Sequence, residues 1–177
     1  MWTIMDTPVG ELRLVAHAGA LTAVEFLGEP PSGPGESASV RHHASRVDRA
    51  DGLPRGDRDD ADPLLAEAVH QLTSYFAGDL KDFDLPVAPQ GTPFQIRVWA
   101  ALQEIGYGET RTYGEIARSL GLTGHGARAV GLANGRNPVP IVVPCHRVVG
   151  ADGSLTGYGG GMHRKQTLLT LEQDALF

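Results

Sequence analysis

Apolar and polar residues alternate near the start of the chain: Leu12, Leu14 and Ala16 take every second position of Glu11–His17. That period of two places one face of an extended segment in a core. Gly10 separates this segment from the residues that begin at Trp2, and Gly19 separates it from Ala20–Leu27. Trp2–Leu27 is therefore predicted to form a meander of three strands. The period changes to a helical one over Pro63–Ala77. Asp62 can cap that helix, Pro63 suits its first position, and Leu65, Val69, Leu72 and Phe76 share a face. Gly78 ends it.

Between these regions, Glu29 to about Asp62 offers little to bury and is rich in Pro, Gly, Ser, Asp and Arg. Such a segment does not offset its ordering entropy, so 29–62 is expected to be a flexible surface insert. Leu80–Gln90 reads as a connection. Thr92-Pro93 then starts a helix through Phe94, Val98, Leu102 and Ile105, closed by Gly106 and Gly108. Thr112-Tyr113-Gly114-Glu115 is a capping-box pattern that opens a short helix through Ile116, Ala117 and Leu120. Gly121–Gly124 is a turn, and Ala127–Ala133 a further helix carrying Arg128. Two short helices about a glycine-containing turn form a helix-turn-helix layout. Asn137-Pro138-Val139-Pro140 cannot be helical, and Ile141-Val142-Val143 reads as an apolar strand. A turn at Gly150–Leu155 and a glycine-rich loop at Gly157–Gly161 follow. A helix of about His163–Glu172 completes the pattern.

The 177 residues suffice for one ordinary domain or two small ones sharing a core. Apolar residues make up 41% and charged residues 20%, the balance of a globular protein. No apolar run is long enough to cross a bilayer, and the start lacks a secretory pattern, so a cytoplasmic location is expected. The formal charge is −6, unevenly spread. Residues 1–90 carry seven Lys/Arg against fifteen Asp/Glu, and 91–177 carry eight against six. A mildly basic, arginine-rich second half suits phosphate contacts, and the acidic first half is expected to face away from them.

The chain has one cysteine, which excludes an internal disulfide and any multi-cysteine zinc site. Seven scattered histidines make no metal site either. A lone cysteine beside an apolar strand is ordinarily inert and buried. Here its company is different, since Pro144-Cys145-His146-Arg147 sets an imidazole next to the thiol. A thiol attacks as its thiolate, and a nearby imidazole can take the proton directly or through water. In an extended chain neighbouring side chains diverge, which favours a bridging water. A carboxylate is wanted behind the imidazole. Spacing leaves Glu172 and Glu115 both open.

The run Asn137-Pro138-Val139-Pro140-Ile141-Val142-Val143-Pro144-Cys145-His146-Arg147-Val148-Val149 resembles the O6-alkylguanine-DNA alkyltransferases. The likeness extends upstream through Arg128 to Thr112-Tyr113 and downstream through Tyr158 and Lys165 to Glu172. It implies an α/β architecture: a small ribonuclease-H-like sheet-plus-helix domain, residues 1–90, packed on a mostly helical domain, residues 91–177, with a helix-turn-helix. It also implies roles. Cys145 would accept the alkyl group, His146 would take its proton through water, and Glu172 would orient His146. Asn137 would hold the turn near the cysteine. Tyr113 would assist nucleotide expulsion and protonate the departing guanine. Arg128 would fill the gap left in the duplex, with Tyr113, Ala127, Ala129 and Gly135 also at the DNA. Tyr158, Gly159, Val148, Pro140 and Lys165 would line the base pocket, and the Cys145 and Val148 carbonyls would read the exocyclic amine.

The activity so implied is single-turnover transfer from O6-methylguanine, and to a lesser extent O4-methylthymine, in double-stranded DNA. A monomer is expected, working without cofactor, metal or membrane. Gly159 stands where many relatives carry serine or alanine, which removes a side-chain contact but keeps the backbone donor. Two other readings remain: a lesion sensor without chemistry, and a cysteine hydrolase acting repeatedly on a small molecule. The transfer account requires an opening beside Tyr158 through which a base reaches the sulfur.

Overall fold

The computed structural model describes residues 1–28 and 56–174. The first half is a three-stranded antiparallel sheet, β1 (Trp2–Met5), β2 (Leu12–His17) and β3 (Ala20–Phe26), in the order β1-β2-β3. The expected meander is present. Its tight hairpin follows from Ala18 and Gly19, both at positive φ (50° and 80°). Two such residues make the turn whose twist matches paired strands, and glycine takes the second place without strain. The expected alternation holds for Leu12, Leu14 and Ala16, all buried, but Val15 is buried as well. The register shifts between Val15 and Ala16, so β2 is covered on both faces.

Both edges of the sheet are occupied. Along β1, Trp2 N donates to Asp57 O and Asp59 N to Trp2 O. The described end of the Pro/Gly/Asp-rich segment, 56–62, is thus hydrogen-bonded structure and not part of a flexible insert; 29–55 lie outside the described residues. Along β3, Leu21 exchanges bonds with Pro86 and Ala88, and Val24 N donates to Pro138 O at 2.8 Å. The last of these joins the sheet to the segment that leads to Cys145.

Helix α1 (Pro63–Phe76) starts as expected, with Asp62 accepting from Leu65 N. Its buried face differs by one step from the expected one: Leu65, Ala68, Gln71, Leu72 and Tyr75 are buried, while Val69 and Phe76 lie at the margin. Small Ala68 allows close packing, and the stripe 65-68-72-75 is as regular as the one expected.

In the second half, α2 (Pro93–Gln103) and α3 (Tyr113–Ser119) both begin with complete capping boxes, Thr92/Gln95 and Thr112/Glu115. The turn after α3 leads to α4 (Gly126–Asn134). A Cβ on Gly126 would lie 2.7 Å from Leu122 Cβ and 3.2 Å from Ala117 Cβ, so only glycine lets the two helices approach this closely. Trp99 Nε1 donates to Ala133 O at 2.9 Å and ties α2 to α4. The two-residue strands β4 (Arg111–Thr112) and β5 (Val148–Val149) pair in parallel, and α5 (Met162–Asp174) completes the chain. One hydrophobic core runs through both halves, from Leu12 and Tyr75 to Val130 and Leu168. Among the described residues, no helix is long and apolar enough to cross a membrane.

Candidate functional site

The segment before Cys145 is not the strand its apolar run suggests. Residues 141–142 form a turn, Ile141 buried and Val142 half-buried, with Pro140 bridged to Val143. Two prolines withhold the donors a ladder needs. Asn137 supplies what backbone pairing does not: its Nδ2 donates to Val143 O at 2.8 Å, and its Oδ1 accepts from Val139 N at 3.0 Å. The turn so held forces Ile141 to a φ of 75°. A β-branched residue in that region stores roughly 1–3 kcal/mol of strain, which only over-determined surroundings sustain.

Cys145–Arg147 then form a single 3-10 turn, with Arg147 N donating to Pro144 O at 3.0 Å. The extended arrangement expected here is therefore absent. His146 is wholly buried, and its Nε2 lies 2.8 Å from Glu172 Oε1, on the last full turn of α5. Of the two open carboxylates, Glu172 is the one behind the imidazole. Glu115 is exposed and caps α3 through Thr112.

Glu172 is the hub of a buried cluster. Arg147 Nε donates to its Oε2 at 2.9 Å and Nη2 to its Oε1 at 2.8 Å, while Nη1 reaches Ile105 O. Gly108 N and Tyr75 Oη also donate to it, at 3.1 and 2.8 Å. Burial pushes this carboxyl up, but the bonds and charges of His146 and Arg147 outweigh it and hold it at about 2. Burial likewise drives the His146 pKa down against the pull of Glu172, so the ring is neutral at rest. With Nε2 engaged, Nδ1 is buried without a hydrogen-bond partner among the described residues.

Cys145, the residue before His146 in the same 3-10 turn, is buried, 3% exposed. Burial raises its pKa to about 11, although the Asn137 side chain, the Lys165 charge and two backbone N–H groups pull the other way. The resting group is a thiol. Tyr158, Tyr113 and Lys165 lie close enough for a thiolate here to shift their own ionisation. Tyr158 is buried with its hydroxyl close to the Cys145 thiol, and Phe26 packs edge-on against it with ring centroids 6.2 Å apart. Tyr113, the first residue of α3, donates to Thr156 O at 2.9 Å, and burial keeps it a phenol. Lys165 Nζ donates to Thr156 O at 2.9 Å and also to Val148 O, and burial lowers its pKa to about 8.

The expected residues thus fall into two groups. Cys145, His146, Glu172, Asn137, Tyr113, Tyr158 and Lys165 converge, with Val148 and Pro140 buried in the same turns. Arg128 is exposed on α4, flanked by half-buried Ala127 and Ala129, and Gly135 is exposed at the helix end. The groups approach each other at Gly159, where an added Cβ would lie 3.2 Å from Gly135 O. Tyr75, Arg147, Asn134 and Arg164 belong to the site without having been singled out. Asn134 Nδ2 donates to Cys145 O at 3.3 Å, and Arg164 spans from Val9 O to Gly160 O.

Two family models match the chain. That of the 6-O-methylguanine DNA methyltransferase ribonuclease-like domain covers residues 1–89, and that of the same family's DNA binding domain covers residues 93–174. A methylated-DNA–protein-cysteine methyltransferase of Methanosarcina acetivorans is 62% identical over 171 residues, 97% of each chain. The protein so named from Mycolicibacterium paratuberculosis is 48% identical over 171 residues, 96% of this chain and 90% of that one. The crystal structure of the Mycobacterium tuberculosis O6-methylguanine methyltransferase superimposes with a TM-score of 0.78 at 45% identity, covering 98% of this chain and 93% of that one. The Mycobacterium tuberculosis OGT in complex with DNA gives 0.76 at 46%, over the same shares. The chain belongs to the 6-O-methylguanine DNA methyltransferase family.

Proposed function

We propose that this protein repairs alkylated duplex DNA by moving the alkyl group of O6-methylguanine, and less readily of O4-methylthymine, to Cys145 in a single irreversible turnover. The observation that carries this reading is the buried His146–Glu172 pair beside the chain's one thiol, with imidazole Nδ1 left unpartnered.

His146 Nδ1 takes the thiol proton through water, and Glu172 stabilises the imidazolium that results. The thiolate attacks the alkyl carbon, an S–C bond forms and the C–O bond to guanine breaks. Guanine leaves as its neutral form on receiving a proton from Tyr113, which favours departure because negative charge grows on the base in the transition state. The product thioether resists water, and no second cysteine can relieve the first. A thiol with a pKa of about 11 is idle until a substrate arrives, which protects a protein that reacts only once.

The target atom lies inside a base stack, so the nucleotide is turned out at a cost of a few kcal/mol, and Arg128 fills the gap. Cys145 is 3% and Tyr158 6% exposed, so the opening expected beside Tyr158 is closed at rest, and the reading requires that entry of the base part the contact between Tyr113 and Thr156. Residues 91–177 meet the DNA and accept the alkyl group, and residues 1–90 serve as their framework.

The test is incubation with duplex DNA carrying radiolabelled O6-methylguanine. Label should reach the protein and plateau at one equivalent, while Cys145→Ala binds and accepts none. Repeated turnover would point to a hydrolase, and binding without transfer by the intact protein to a lesion sensor.

A further inference from the structure

The sheet-and-helix half grips the acceptor site at three places that shape its walls. Val24 N holds Pro138 O, Arg164 Nε holds Val9 O, and Phe26 backs Tyr158. At a fourth place it reaches the reacting machinery itself. Tyr75 on α1 donates its hydroxyl to Glu172 Oε1 at 2.8 Å across 97 positions of sequence, with its side chain fully buried.

That oxygen is over-subscribed. His146 Nε2, Tyr75 Oη and Arg147 Nη2 all lie 2.8 Å from Oε1, with Arg147 Nε at 3.2 Å. A carboxylate oxygen offers two lone pairs, so these donors share and weaken one another. The ring of Tyr75 cannot swing away, because Phe76 and Phe83 stand 5.3 Å from it and Tyr107 6.0 Å.

We propose that Tyr75 is a positioning residue for alkyl transfer, its hydroxyl fixing Glu172 and limiting how strongly that carboxylate supports His146. The proposal rests on the transfer reading above. It makes the framework half a participant in tuning the imidazole. The titratable side chains that face Glu172 are Tyr75 from α1, Tyr107 from the loop after α2, His146 and Arg147 from the 3-10 turn and Tyr158 from the glycine-rich loop, while the backbone N–H of Gly108 donates to its other oxygen. His146 also feels Lys165 from α5. Of these side chains, Tyr75 alone donates to Glu172 while carrying no charge and lying outside the catalytic turn.

Tyr75→Phe removes the donor and keeps the ring. Glu172 then turns more fully to His146, so the imidazolium is better stabilised. The acidic limb of the pH–rate profile for transfer from free O6-benzylguanine should move up by about one unit, the scale of one hydrogen bond to a charge. The NMR titration midpoint of His146 should move with it, a readout that needs no transfer. Phe83→Leu is the packing control, expected to lower the melting temperature and leave both midpoints in place. Tyr75→Leu should shift them as Tyr75→Phe does, which separates the hydroxyl from the fold should one variant be unstable. Unchanged midpoints in both Tyr75 variants, or an equal shift in Phe83→Leu, would overturn the proposal. A parent that titrates as described but accepts no alkyl group would instead overturn the transfer reading.

Discussion

His146 Nε2 and Glu172 Oε1 are 2.8 Å apart, both side chains at zero exposure, and the imidazole is thereby fixed with Nδ1 turned from the carboxylate. The pair is buried with Arg147, whose guanidinium donates to both oxygens of the same carboxylate. A buried charge of this kind is tolerated only while its partner remains.

Glu172→Gln should therefore damage stability and chemistry together. It leaves Arg147 without a counter-charge in the core, a loss of about 3 kcal/mol. Urea denaturation checks the first effect. Transfer from O6-benzylguanine, which should fall by more than tenfold, checks the second.

The pH dependence of stability follows from the same groups. Glu172 sits at about 2 folded against an ordinary 4.5, so the unfolded chain binds more protons between those values and stability falls as pH drops through them. His146, depressed below 6.5, adds to the loss on the acid side by the same sign. Cys145, raised from 9.0 to about 11, acts at the other end: the unfolded thiol ionises first, and stability falls as pH rises through that window. Lys165, lowered from 10.5 to about 8, opposes it, because the unfolded amine holds its proton to higher pH, so urea midpoints should fall clearly on the acid side and change less between pH 9 and 11. In Glu172→Gln the decline from 4.5 towards 2 should largely vanish.

Gly160→Ala tests the back wall of the pocket. An added Cβ would lie 2.7 Å from both Phe26 Cε2 and Tyr158 Cε1. One ring must shift, at about 1–3 kcal/mol. Slower reaction with free O6-benzylguanine is expected alongside a lower melting temperature, and an unaltered rate would show that Tyr158 does not shape the pocket.

Arg128→Ala addresses the duplex. An exposed side chain that fills a gap in stacked DNA matters only when there is a stack to fill. Transfer from duplex DNA should slow by at least tenfold, with reaction of the free base nearly unchanged. Equal losses on both substrates would remove the gap-filling role.

Much of the architecture is written in short stretches of chain. Each cap of α1, α2 and α3 joins two residues three positions apart, and the adjacency of Cys145 to His146 needs no folding to be seen. The helix-turn-helix and the meander follow from periods of 3.6 and 2 interrupted by glycine. Local pattern failed where distant partners outvote it. Ile141-Val142-Val143 has the composition of a strand, yet Asn137 and two prolines bend it into a turn. On α1, two stripes of equal regularity competed, and packing chose the one that carries Tyr75.

Residue order set Cys145 beside His146 and laid out two short helices about a glycine turn, and the resemblance carried by that order supplied the expected roles. Spacing left Glu172 and Glu115 open and the resemblance pointed to Glu172, but only the fold sets it on His146 and brings Tyr75 and Arg147 onto it. A carboxylate becomes a catalytic partner through burial and donors from 25 and 97 positions away, and neither is a property of its neighbours in sequence.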